Sequence, residues 1–221
     1  MARILILGGG CRGTSLAAGL SADGHAVRIV TRTEARRGAI EHAGAECLIG
    51  TPDRLATLRG ALENVAVACW LLATARGAQG QVRSLHDSRL QSFLTLAIDT
   101  TVRGFVYEAP GQAGVDGAAG SAVALGSAGA PGAAGAPGAA GSAVAEREGF
   151  EAEGHPGAVG ARVSACRTVE AVVLAEGVRI VRAAGVRNAI PVALVRADPL
   201  DLDAWLPDAR AAIYSLLAGS R

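Results

Sequence analysis

Gly8, Gly10 and Gly13 stand in the order G-x-G-x-x-G, directly after the apolar run "RILIL" (3–7) and at the opening of an Ala- and Leu-rich stretch, 12–23. That spacing suits the binding of a diphosphate. Gly8 permits a tight turn, Gly10 lets phosphate oxygens approach the backbone, and Gly13 allows a helix to pack closely on the strand. The free N–H groups and the dipole at the start of such a helix favour negative charge. Two side chains within the loop add to this chemistry. Arg12 sets a guanidinium inside the loop, and Cys11 sets a thiol at a helix N-terminus beside arginines, where a thiolate is stabilised. Cys11 serves equally as a small side chain that the loop tolerates.

A second cluster falls about 20 residues past the loop, where the apolar run "AVRIVT" (26–31) ends in Thr31 and Arg32. An Asp or Glu at this place would take the ribose hydroxyls of NAD, and neither is present. A guanidinium instead suits a 2′-phosphate through paired, charge-assisted hydrogen bonds, so NADP is favoured. Arg12 could approach the same phosphate from the other side. Glu34 competes: if it reaches back to the ribose, NAD is acceptable too. A third pair, Tyr107 and Glu108 in "GFVYEA" (104–109), could exchange a proton near a bound ring if the strand end faces the ligand. Tyr107 could also be a core residue, and Glu108 a rim carboxylate.

The elements that must position these residues alternate along the chain. "RILIL" (3–7), "AVRIVT" (26–31), "AECLIG" (45–50), "VAVACWLL" (65–72) and "GFVYEA" (104–109) read as strands. Between them, 12–23, 34–44, 52–62 and 82–100 carry helical patterns. A helix over 168–185, a sixth strand over 190–198 and a last helix over 202–219, interrupted at Pro207, complete the series. Such alternation predicts an α/β fold with a doubly wound parallel sheet, a Rossmann sheet of about six strands in the order 3-2-1-4-5-6. The core is expected to occupy 1–109, with 161–221 completing the same domain. Between them, 110–160 is dominated by Gly, Ala, Pro and Ser and has little to bury, so it is expected to be a disordered surface insertion.

Composition sets limits on partners. The chain has 221 residues, half of them hydrophobic, and a formal net charge of +1, which marks neither a nucleic acid nor an anionic membrane as a partner. No apolar run approaches the roughly 20 residues of a membrane span. "MARILILGGG" lacks the features of a signal peptide, and the four cysteines show no ligand-like spacing, so reduced thiols and a cytoplasmic location are expected. His25, His42, His86 and His155 are isolated along the chain, so no metal site is expected. All 21 basic side chains are Arg. No chemistry that needs a lysine amine can occur.

The segments "ILILGGGCRG", "GHAVRIVTRT", "AGAECLIGTPDRLATL" and "VAVACWLL" resemble the atypical and extended short-chain dehydrogenase/reductase superfamily, particularly its NmrA-like, NAD(P)-binding members. The resemblance runs from residue 3 to about 108, with weaker support over 168–198. It implies that Arg32 meets the NADP phosphate. It also sets "GTPD" where the family often has Gly-Asp, whose acid meets the adenine. Thr51 takes the place of that acid here, with Asp53 close by. The family's active reductases use a Tyr-x-x-x-Lys pair, which this chain cannot form, and its usual Ser or Thr after strand five is replaced by "FVYEAPG". Two readings follow: an NAD(P)-dependent oxidoreductase on an unknown small molecule, or a non-catalytic NADP(H) sensor that reports to a protein partner.

Overall fold

Six short apolar runs become six parallel strands. A computed structural model of the chain describes residues 1–110 and 157–219, with backbone alone over 157–170. β1 (Arg3–Leu7), β2 (Ala26–Thr31), β3 (Glu46–Ile49), β4 (Val67–Trp70), β5 (Gly104–Glu108) and β6 (Val192–Val195) form one sheet in the order β3-β2-β1-β4-β5-β6. This is the order that the sequence predicts. Strand β1 shows why a continuous apolar run is needed there. Ile4 and Ile6 enter one core with Leu16, Leu20, Trp205 and Ile213, while Leu5 and Leu7 enter the opposite one with Trp70, Phe93 and Val181. A central parallel strand buried on both faces has no polar side to offer.

The helices are α1 (Cys11–Ala22), α2 (Arg37–His42), α3 (Gln79–Leu85), α4 (Ser88–Ile98), α5 (Gly157–Asn188) and α6 (Leu202–Ala218). Helices α1 and α6 pack on one face of the sheet, and α4 and α5 on the other. Because β1 lies between β2 and β4, the connections from β1 and β4 leave the carboxyl edge in opposite directions. That reversal opens a crevice above β1 and β4, where ligands of open α/β sheets bind.

Five helical expectations are modified. The segment 34–44 divides into a 3-10 turn at Glu34–Arg36 and the short α2. Instead of one helix over 52–62 there are two 3-10 turns, Leu55–Leu58 and Gly60–Leu62. Gly60 is a poor helix former, and the buried Arg28 guanidinium satisfies the carbonyls at the end of the segment, donating to Gly60 and Ala61 at 3.1 and 2.8 Å. The long helix over 82–100 breaks between α3 and α4 at His86 and Asp87, because the His86 side chain turns into the core. In α6, by contrast, Pro207 does not interrupt the helix. It removes one intrahelical bond, while Trp205, Ala209, Ala212, Ile213 and Leu216 keep one face buried across it. Helix α5 begins at Gly157, within the stretch expected to be an insertion, of which 111–156 lies outside the described residues.

Candidate functional site

The glycine loop joins β1 to α1 at the crevice. Gly8 has φ 137°, in the region that favours glycine, and a Cβ there would stand 2.5 Å from the Leu71 carbonyl oxygen. At Gly13 a Cβ would stand 2.0 Å from the Gly8 carbonyl oxygen, so a side chain there would push α1 off the loop. Over Gly10 the same test meets nothing within 4 Å. The loop is closed against its own strands and open at its tip. Gly10 is the N-cap of α1, which has no side-chain cap and no acidic residue in its first turn. The first N–H groups of a helix have no intrahelical acceptor and are therefore available to an anion. Cys11 is exposed at the first position of the helix.

At the end of β2, Thr31 is buried and its carbonyl accepts from the Gly50 N–H at 2.9 Å, tying β2 to the turn after β3. Arg32 is exposed and has no hydrogen bond or ion pair among the described residues. Glu34 is engaged elsewhere. Its carboxyl pairs with the Arg37 guanidinium, which holds it below the usual carboxylate range. Thr51 builds its own turn, with its N–H donating to Thr57 Oγ1 at 3.1 Å and its hydroxyl to Asp53 Oδ2 at 3.1 Å. Asp53 in turn pairs with Arg89.

The other half of the crevice is arranged differently. Arg12 leaves the first turn of α1 in the direction of β4 and β5. It pairs with Glu108, donates to Thr74 Oγ1 at 2.9 Å, and lies with its guanidinium carbon 4.7 Å from the Trp205 ring centroid. Glu108 also accepts from the Ala73 N–H at 2.7 Å and from the Trp205 indole N–H at 2.9 Å. Arg12 and Arg32 therefore serve opposite halves of the crevice, and Glu108 is a buried acceptor with three donors.

Tyr107, the neighbour of Glu108 on β5, points to the opposite face of the sheet. Its hydroxyl stands 2.7 Å from His86 Nδ1, with both side chains buried. Burial keeps the phenol protonated, so it can donate to the neutral Nδ1. Burial pushes the Tyr107 phenol up and the His86 imidazole down to about 4, so both stay neutral near pH 7. A phenol in this position reaches no ligand unless the core opens. Tyr107→Phe is expected to strand the buried imidazole acceptor and to cost about 1–3 kcal/mol of stability. Thermal melting should detect that loss, and nucleotide affinity should stay as it was.

No family model and no curated protein matches the chain. Solved structures do. A mutant of UDP-glucuronic acid 4-epimerase from Bacillus cereus, in complex with a fluorinated UDP-glucuronic acid and NAD, is 14% identical, with a TM-score of 0.52 over 87% of this chain and 55% of that one. Vestitone reductase from alfalfa is 14% identical, with a TM-score of 0.51 over 88% of this chain and 56% of that one. The protein gox2253 is 18% identical, with a TM-score of 0.54 over 89% and 51%. The fold is the Rossmann fold. The chain spans about half the length of these structures, and at such identities the likeness is one of fold.

Within the Rossmann crevice, the glycine loop fits a diphosphate: its tip is open where phosphates must approach and blocked where α1 must close on β1. Three residues of the crevice and its underside are not apparent from the sequence alone. Trp205 and Thr74 join Arg12 and Glu108, and His86 joins Tyr107. Trp205 carries a signal in retrospect. It opens the helix after the sixth strand, and the carboxyl edge of a parallel sheet gathers all such openings beside the end of strand five.

Proposed function

We propose that the chain is an atypical protein of the short-chain dehydrogenase/reductase type that binds a dinucleotide at the glycine loop, NADP in preference to NAD, and acts as a sensor of that nucleotide. The observation that carries the preference is Arg32, exposed and unpaired among the described residues at the end of β2, while the competing Glu34 is taken by Arg37. The loop N–H groups would hold the diphosphate, and Arg32 the 2′-phosphate. A bound nicotinamide would supply hydride chemistry.

Against turnover stand the absence of lysine, the internal position of Tyr107 and the full set of donors on Glu108. The second reading, an oxidoreductase on a small molecule, is supported by structures that share the fold, an epimerase in complex with NAD and a reductase. Titration with NADPH and NADH, read by quenching of the protein's tryptophan emission, tests the preference. Arg32→Ala should weaken NADPH roughly tenfold or more, as the loss of a charge-assisted pair requires, and leave NADH nearly unchanged. Equal affinity of the native protein for both cofactors would overturn it. A screen of carbonyl substrates with NADPH separates the two readings, since a sensor consumes none.

A further inference from the structure

We propose that the crevice is built to hold only the adenosine diphosphate half of its ligand, because Arg12, Glu108 and Trp205 fill the half-site above β4 and β5. The proposal rests on the reading of the glycine loop as a diphosphate site. A dinucleotide lies across the crevice, with one nucleoside on the β2 side and the other above β4 and β5. The β2 side is accessible, with Gly10 uncovered and Arg32 exposed.

The β4 and β5 side is spanned by a single connected group. Arg12 reaches from α1 past Thr74, which follows β4, to the last residue of β5. Trp205, fully buried at the start of α6, closes the back of this group with its ring under the guanidinium and its N–H on Glu108. The arginine charge is already matched by Glu108, and the Glu108 oxygens are occupied by Arg12, Ala73 and Trp205. Among the described residues, nothing there invites a ribose or a carboxamide. Seating a second nucleoside would require Arg12 to swing away and leave a buried carboxyl without its cation, a penalty equivalent to roughly 10²-fold or more in affinity. The ligand class is therefore a 2′-phosphorylated adenosine diphosphate, with anything attached beyond the second phosphate lying outside the crevice.

Calorimetric titration of the full chain with NADP⁺ and with 2′-phospho-ADP-ribose tests this directly. The expected result is two dissociation constants within about threefold of each other, since the nicotinamide contributes nothing. Bound NADPH should also keep the nicotinamide emission of the free cofactor. A larger preference for NADP⁺, or a blue-shifted and enhanced emission, would overturn the proposal while leaving the glycine loop as a nucleotide site. Failure of both ligands to bind would overturn the glycine-loop reading itself, and this proposal with it.

Discussion

Arg12→Ala is expected to lower the unfolding free energy by about 3–5 kcal/mol, although the residue lies in the first turn of α1 at the crevice. The reason is the asymmetry of the pair. The Glu108 side chain is 3% exposed and that of Arg12 is 15% exposed, so removing the arginine leaves the carboxyl in the core with only the Ala73 and Trp205 N–H groups. The reverse change acts otherwise. Glu108→Ala frees Arg12 to turn toward water, but strands a backbone N–H and an indole N–H, each costing about 1–3 kcal/mol when unpaired. Glu108→Gln keeps an acceptor for one of them and should lose less than either alanine variant. Urea denaturation at constant m-value measures all three. An unchanged midpoint in Arg12→Ala would show that the pair does not form in solution. A buried ion pair is rarely the most stable way to fill such a space, since apolar groups of the same volume do as well or better. Its value lies in what it prevents from entering the crevice.

The sheet is legible in the sequence because its signal repeats. The inner strands β1, β2, β4 and β5 are largely apolar runs buried on both faces, and the edge strands β3 and β6 are partly exposed. Each is followed by a turn and a further element, so β1 to β6 and their order follow from pattern alone. The short elements are not legible in the same way. The carbonyls that end 52–62 are taken by Arg28, a residue on β2 that becomes a donor to Gly60 and Ala61 only once the sheet is assembled. The break before α4 depends on Tyr107, which lies on another strand and takes His86 out of the helical line. The crevice divides along the same boundary. Gly8, Gly10, Gly13, Thr31 and Arg32 are adjacent in sequence or set by one βαβ unit, and their placement is local. Arg12 and Glu108 are 96 residues apart, and Glu108 and Trp205 are 97 apart. No spacing rule joins residues at that separation. Only the topology does, by bringing the ends of β1, β4, β5 and β6 to one edge.

The buried His86–Tyr107 pair makes stability depend on pH in a window where few other groups titrate. Burial lowers the folded-state pKa of His86 to about 4, against about 6.5 for an unfolded histidine. Between these values the unfolded chain binds a proton at this position and the folded chain does not. Stability therefore falls as pH falls, by about 3 kcal/mol in total, and is fully present above the unfolded value. About 2 kcal/mol of that loss lies between pH 6.5 and 5, before the carboxylates protonate. The Tyr107 phenol, pushed up by burial, stays neutral throughout and only donates to Nδ1. The charged neighbours on α4 are engaged elsewhere, Asp87 at its junction with α3 by Gln91 and Arg89 by Asp53. Lowering the pH from 7 to 5 should then lower the melting midpoint by roughly 4–8 °C in a chain of this size. In His86→Asn the midpoint should be lower at pH 7, because the variant loses a buried hydrogen bond, but it should change little across the same interval. Parallel curves for the native and variant proteins from pH 7 to 5 would show that the imidazole is free to protonate in the folded state, and that the core around Tyr107 is open to water.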